Sequence, residues 1–351
     1  MATIPEVAYK SLVAAVENTQ PGLDGLVTAL FPNVNVKNTQ YIELDKRYNR
    51  ARVATFVNPS AVADGTEKLG FERVPFKLPT IQDVQSITGE DLEMVSFGVE
   101  PYVTEQLSAI IGREVRRVVD DQRGLVRNKL GLMAIEEAFN GSITVIGKGE
   151  NRVLDFGRPA DLFVDVGASD PNQYWANSGA AVMSHVEDML ETMGQYGSTG
   201  NLLIGRPDVI NDFLENLTVR ERLDNRRTEI GGETFRNLFA TRGMAYKGSI
   251  DGLEIWSYSG YYVKPDGTTD RAIPYDRVLI AATNNANVLQ YGRAPIIPTL
   301  IGEMGSLVTV DSTNYQSILV PGRRDLEIEA IQTAAPLQAD IGAFGVLKVR
   351  P

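Results

Sequence analysis

The chain has 351 residues, 43% of them apolar and 23% charged, with a net charge of -11, no cysteine and one histidine. That length exceeds what one hydrophobic core fills, so two lobes are expected, and the apolar content is that of a globular chain, not a disordered one. The lack of cysteine excludes disulfides, thiolate nucleophiles and thiolate metal sites; net acidity disfavours a specific grip on nucleic acid; no apolar run approaches the roughly 18 residues of a membrane span.

Met1 to Pro5 lack the basic and apolar regions of a secretory signal, so the chain is expected to be cytosolic where it is made. The sequons Asn140-Gly141-Ser142 and Asn216-Leu217-Thr218 then carry no meaning. Ile4, Val7, Ala8, Leu12 and Val16 recur at helical spacing, and a second short helix runs from Leu23 to Phe31, stopped by Pro32. From Val34 to Ile87 alternation takes over. Val53, Thr55 and Val57 form one strand and Val74, Phe76 and Leu78 another, with turn chemistry at Asn58-Pro59-Ser60 and Asp64-Gly65 between them. The segment reads as a long hairpin with a loose tip, and Pro75 and Pro79 confine its second strand to an edge.

The spacing of Val103, Leu107, Ile111, Val115, Val118, Leu125 and Leu132 predicts the longest helix, from Pro101 to about Phe139, roughly 55 Å at 1.5 Å per residue. Arg113, Arg116, Arg117, Asp120, Asp121 and Arg123 fall on its opposite face. Gly112, Gly124 and Gly131 interrupt it, which points to bending or close backbone approach there. A hairpin follows, Thr144 to Ile146 against Arg152 to Phe156 around Gly147-Lys148-Gly149. The middle, from about Asp161 to Pro321, is α+β. Helices are expected at Ala180 to Met193 and Pro207 to Leu217, and strands at Leu202 to Ile204, Ala245 to Lys247, Leu253 to Tyr258, Tyr261 to Val263 and Val278 to Ala282. The tail, Gln316 to Val349, alternates strands with Pro321-Gly322 and Pro336 and is expected to return to the lobe of the long helix.

Candidate chemistry is sparse. His185, inside a helix, has neither the partner ligands of a zinc site nor the orienting groups of a catalytic triad and reads as structural. Acidic pairs such as Asp120-Asp121, Glu136-Glu137 and Glu187-Asp188 point in different directions on a helix and read as solvated faces. Gly141 to Lys148 has the wrong glycine spacing and no Ser/Thr for a phosphate loop. Gly197-Ser198-Thr199-Gly200 reads as a turn. The densest basic cluster, Arg220, Arg222, Arg226 and Arg227, is interleaved with Glu221, Asp224 and Glu229, which suits ion pairs between subunits better than phosphate binding. No catalytic, cofactor-binding or metal residue is assigned.

An ordered series of motifs carries a family resemblance. Arg220-Glu221-Arg222-Leu223-Asp224-Asn225-Arg226-Arg227, Ala245-Tyr246-Lys247-Gly248, Tyr258-Ser259-Gly260-Tyr261-Tyr262-Val263 and Leu289 to Gly292 are followed by Ile331-Gln332-Thr333-Ala334-Ala335-Pro336-Leu337; Ala54 to Ser60 adds a weaker match. The order and spacing resemble the major capsid proteins of lambda-like tailed phages, the major capsid protein E family; residues 161–205 contribute little to it.

The resemblance implies an α+β fold of the Hong Kong 97 capsid type. On that plan residues 1–34 are an N-terminal arm, 35–98 an extended loop, 99–160 with 323–351 a peripheral domain built on a spine helix, and 161–322 an axial domain. It further implies a shell subunit that forms pentamers and hexamers, with a portal protein, a decoration protein in some relatives, and double-stranded DNA enclosed without sequence specificity. The expected location is the virion capsid, assembled in the host cytoplasm, with no membrane involved. Because only about 34 residues precede the loop, a separate scaffolding protein is expected, and no covalent cross-linking is. Arg47, Arg50 and Arg52 on the loop, with Arg220, Arg222, Arg226 and Arg227, are the expected contacts between subunits, and Gly112 and Gly124 the expected hinge of the spine helix. The alternatives are an encapsulin-like nanocompartment shell and a Mg²⁺-dependent hydrolase, which lacks a concentrated ligand set.

Overall fold

The computed structural model describes residues 25–46, 72–91, 107–224, 244–264, 266–294, 306–310, 313–321 and 325–351. In chain order the first elements are α1 (Gly25–Leu30), β1 (Asn33–Val36), β2 (Tyr41–Lys46), β3 (Glu72–Lys77), β4 (Thr80–Ile87), the long helix α2 (Leu107–Asn140), β5 (Ser142–Gly147) and β6 (Glu150–Asp155). Next come β7 (Phe163–Asp165), α3 (Val182–Gln195), β8 (Leu202–Gly205), α4 (Pro207–Glu215), α5 (Leu217–Asp224), β9 (Met244–Ile250), β10 (Leu253–Tyr258), β11 (Tyr261–Val263) and β12 (Thr269–Arg271). The last are β13 (Arg277–Ala281), β14 (Val288–Gly292), β15 (Ser306–Val310), β16 (Gln316–Pro321), β17 (Leu326–Leu337) and β18 (Phe344–Lys348).

One sheet is organised by β17. β4 runs antiparallel along one of its edges, from Leu326 to Thr333. The other edge is shared by β16, opposite Leu326 to Ile331, and β14, opposite Thr333 to Leu337. β1 continues outward from β14 in parallel, and β15 from β16. Pro336, expected to interrupt the tail, lies within β17 beyond the end of β4, where among the described residues only β14 flanks it. A missing N–H is tolerated at such a half-edge position. Helix α2 packs on this sheet through Val115, Val118 and Val119, which meet Ile87, Leu319 and Ile328.

The second sheet has the order β7-β18-β13-β8-β10-β9 and is buried on both faces, which explains its nearly unbroken apolar strands. Leu202, Ile204, Trp256, Leu279, Phe344 and Val346 turn toward the last turns of α2 (Leu130, Ala134, Ala138, Phe139) and α1 (Leu26, Leu30, Phe31). The alternate residues Leu203, Ile255, Val278, Ile280 and Leu347 turn toward α3 and α4. One continuous core therefore joins the C-terminal half of α2 to both sheets.

Several expectations need correction. The strand at Val74 to Leu78 exists as β3, and its described partner is β2, which alternation in the sequence did not single out, with Ile42 opposite Phe76. Residues 53–57, the early helix of Ile4 to Val16, the loop tip and the start of the long helix at Pro101 lie outside the described residues. The helix beginning at Pro207 ends at Glu215, because Asn216 opens a new one: its side chain accepts from the Thr218 N–H (3.1 Å) and donates to the Ala180 carbonyl (3.1 Å). The tail, expected to return to the lobe of the long helix, divides between the two sheets, and Phe344 and Val346 of β18 pack with the last turns of α2. β18 enters the second sheet between β7 and β13, whereas β14, β15 and β16, expected in the axial region, belong to the first. The expected boundary at 322/323 therefore does not coincide with sheet membership, since apolar alternation says which strands are buried but not which sheet receives them.

Candidate assembly surface

The β2–β3 ribbon leaves the body next to β1 and β4 and is held at its base by backbone and side-chain bonds. The Lys37 N–H donates to the Tyr291 carbonyl (2.9 Å), Leu78 to Gln40 (2.9 Å) and Ala334 to Pro79 (3.2 Å), while the Thr80 and Thr333 hydroxyls meet at 3.1 Å. One side of the ribbon, Ile42, Phe76 and Leu78, is buried against Met133, Ile143, Leu154 and Phe156, with the Phe76 and Phe156 rings stacked at 5.5 Å. Gly292 makes the crossing possible. A methyl group there would lie 2.7 Å from Leu78 Cδ1 and 2.8 Å from the Thr39 carbonyl oxygen, so any larger residue pushes the ribbon base off the sheet.

The β5–β6 hairpin is a second two-stranded unit. Its inner residues Ile143 and Leu154 support the ribbon, and Lys77 pairs with Glu150 at 3.2 Å between the two units. Its outer face is open: Ile146 is 74% exposed and Val153 60%. A third hairpin, β11–β12, shows the same character, with Tyr261 59% and Val263 68% exposed on one face. Its tip is fixed by Lys264–Asp270 at 2.7 Å, the bond that raises the Lys264 pKa and lowers that of Asp270. The β5–β6 and β11–β12 units thus each have one face bearing large apolar side chains that the described residues leave uncovered.

The expected contact residues are only partly brought together. Arg222 is paired within the chain, to Glu187 of α3 at 2.7 Å and Asp251 of the β9–β10 turn at 3.3 Å, and the Glu187 bond raises its pKa. Arg220 is exposed on α5. Arg47, Arg50, Arg52, Arg226 and Arg227 lie outside the described residues. At the expected hinge, a methyl group on Gly112 or Gly124 would meet nothing within 4 Å among the described residues. The helix is continuous through both. The predicted polar face of α2 is also less solvated than its charges suggest: Gln122 and Arg123 are buried, with the Arg123 guanidinium 5.5 Å from the centre of the Tyr315 ring.

Little here suits small-molecule chemistry. His185 borders a cleft of about 210 Å³ with Asp165, Asp188 and Thr192, below the roughly 300 Å³ at which ligand pockets begin, and partial burial lowers its pKa despite Asp188. Among the described residues no three acidic, histidine or cysteine side chains group as a metal site would need, and no helix is long and apolar enough to cross a membrane.

Two of the sequence motifs meet directly: Leu289 to Gly292 lies in β14 and Ile331 to Leu337 in β17, with Tyr291 opposite Ala334 and Gly292 opposite Thr333. Solved structures share this arrangement from end to end. A protein assigned as a prophage capsid protein in E. coli CFT073 superposes with a TM-score of 0.68 at 17% identity, covering 99% of each chain. The capsid of cyanophage A-1(L) gives 0.58 at 12% identity, covering 95% of this chain and 94% of the other. A phage-related protein of Bordetella bronchiseptica RB50 gives 0.55 at 10% identity, covering 99% and 98%. Likeness at these identities establishes the α+β fold of Hong Kong 97 type capsid proteins. A comparison with curated protein sequences finds no match. The family described as phage major capsid protein E matches residues 9–295, through the ribbon, the long helix and most of the second sheet, and this chain belongs to that family.

Proposed function

We propose that the chain is the shell subunit of a tailed-phage head, closing head to tail as both pentamers and hexamers around double-stranded DNA that it holds without sequence specificity. The observation that supports this most is the β2–β3 ribbon, a sheet of two strands with one side anchored on the body. A two-stranded sheet is marginal in water, so its continuation needs the surface of a sister copy. Deleting residues 58–68 should leave a folded chain that sediments as a monomer and forms no shells in electron micrographs; normal shells would refute the reading. Arg47, Arg50, Arg52, Arg220, Arg226 and Arg227 are proposed to meet acidic groups of neighbours. Arg222, already paired in its own chain, would take a smaller part.

A separate scaffolding protein, a portal protein and in some particles a decoration protein complete the proposed partners. The purified chain alone should therefore give irregular assemblies, and uniform shells from it would remove the need for a scaffold. The chain is read as a wall and not as an enzyme, in keeping with the structural role of its family. Gly112 and Gly124 are proposed to let α2 bend while the shell expands. Because a methyl group fits at both, Gly112→Ala with Gly124→Ala tests flexibility without a clash. Expansion of the variant shells should stall, and unchanged expansion would sink the hinge.

A further inference from the structure

At the C-terminal end of α2, where the first sheet, the β5–β6 hairpin and the second sheet converge, lies a buried ion pair. Glu137 is fully buried and its carboxylate stands 3.6 Å from the Arg158 guanidinium, itself almost fully buried. The two halves of the pair are treated unequally. Arg158 donates to the Ala138 carbonyl at 2.7 Å and to the Glu137 carbonyl at 2.8 Å, the latter also accepting the Gly141 N–H at 2.7 Å, and lies 5.6 Å from the Phe344 ring of β18. Among the described residues neither Glu137 carboxylate oxygen finds a hydrogen-bond donor. Its ion pair is too long to make up for lost water, since an ionised buried carboxylate normally needs several donors.

The surrounding charges are engaged elsewhere. On α2, Glu136 accepts the Thr144 N–H of β5; on β6, Asp155 accepts the Gly157 N–H; on β13, Arg277 bonds Asn140 and Asp276. Beyond β17, Asp340 accepts from Ser198 and Gly342; on β18, Lys348 pairs with Asp165; α1 carries no charged residue. Among the described residues the charge acting on Glu137 is that of Arg158.

We propose that Glu137 is a proton-linked latch between the long helix and the second sheet: protonated, it stays buried and holds the junction closed, and ionised, it favours a hydrated, opened arrangement. Arg158 keeps the helix-end carbonyls in either state, because a guanidinium stays charged. Burial raises the Glu137 pKa from 4.5 to about 7, with Arg158 opposing the rise. A group with the higher pKa in its buried state favours that state at low pH, and this difference biases the junction by up to roughly 300-fold across the transition. The direction follows from the orphaned carboxylate: closed in acid, loosened as pH rises toward 7.

The chain has no cysteine, so two introduced ones can be labelled uniquely. Spin labels on Lys148→Cys at the tip of the β5–β6 hairpin and Glu191→Cys on the exposed side of α3 would report the separation of the two regions, with labelled chains diluted in unlabelled ones so that only distances within a chain are read. From pH 4.5 to 8 the distance distribution should shift with a midpoint between the open-state value of 4.5 and the closed-state value of about 7, while Glu137→Gln keeps the low-pH distribution throughout. Glu137→Met, which needs no hydrogen-bond partner, is the second variant and should behave the same way. A pH-invariant distance in the native chain overturns the proposal whether or not either variant folds, and so does a variant that titrates like the native chain.

Discussion

Gln122 is fully buried midway along α2, where its amide donates to the Ile328 carbonyl of β17 at 2.8 Å and reaches the Asp83 carbonyl of β4 at 3.4 Å. One side chain thus ties the helix to two neighbouring strands. Gln122→Leu leaves the buried Ile328 carbonyl without this donor and should lower stability by about 1–3 kcal/mol in urea unfolding. Glu137 acts in the opposite sense. Its folded pKa, about 7, lies above the ordinary 4.5, so its contribution is fully present below pH 4.5 and lost as pH rises through 7. The native thermal midpoint should therefore fall relative to that of Glu137→Gln between pH 5 and 8, by a free energy with a ceiling on the order of 3 kcal/mol; parallel profiles would contradict this. These residues were poorly legible in the sequence. Gln122 sits between Asp121 and Arg123 and reads as part of a solvated face, and Glu136-Glu137 reads as an exposed pair, because helical spacing says which residues share a face but not how much of it a second layer covers.

At the scale of elements, legibility followed the strength of the local signal. The β5–β6 hairpin announces itself through alternation around Gly147-Lys148-Gly149, and α2 through its regular apolar steps. β2 and β4 went unread. Glu43 and Asp45 alternate with Ile42 and Leu44 in one, and Gln82, Asp83 and Gln85 dominate the other, so the apolar half of each pattern is thin. What makes β4 a strand is its antiparallel ladder with β17, with Thr80 opposite Thr333, a contact between distant parts of the chain that no local window contains. The outer face of the hairpin offers a test of assembly separate from folding. Ile146→Lys with Val153→Lys alters two exposed positions on a supported hairpin and should change the unfolding free energy by little, about ±0.5 kcal/mol per site. Shell yield should collapse; undiminished yield would show that this face stays bare.

Across the molecule the fold is interleaved. Asn33 bonds the Asn287 carbonyl 254 residues away, and Thr80 meets Thr333 across 253. Among the described residues, pairings between distant segments such as β1 with β14 and β4 with β17 join the local hairpins, so folding should be slow for a chain of this size and show a populated intermediate in stopped-flow refolding. The fold class was readable because motif order survives where individual motifs are short, whereas strand exchange between the sheets was not, because apolar content marks a strand as buried without naming its neighbour. The position of β18 has a further consequence for synthesis. Lys348 pairs with Asp165 across 183 residues, and β18 fills the gap between β7 and β13. A ribosome must therefore deliver residues 344–348 before the second sheet can close, and a nascent chain that stops short of them leaves a gap between β7 and β13.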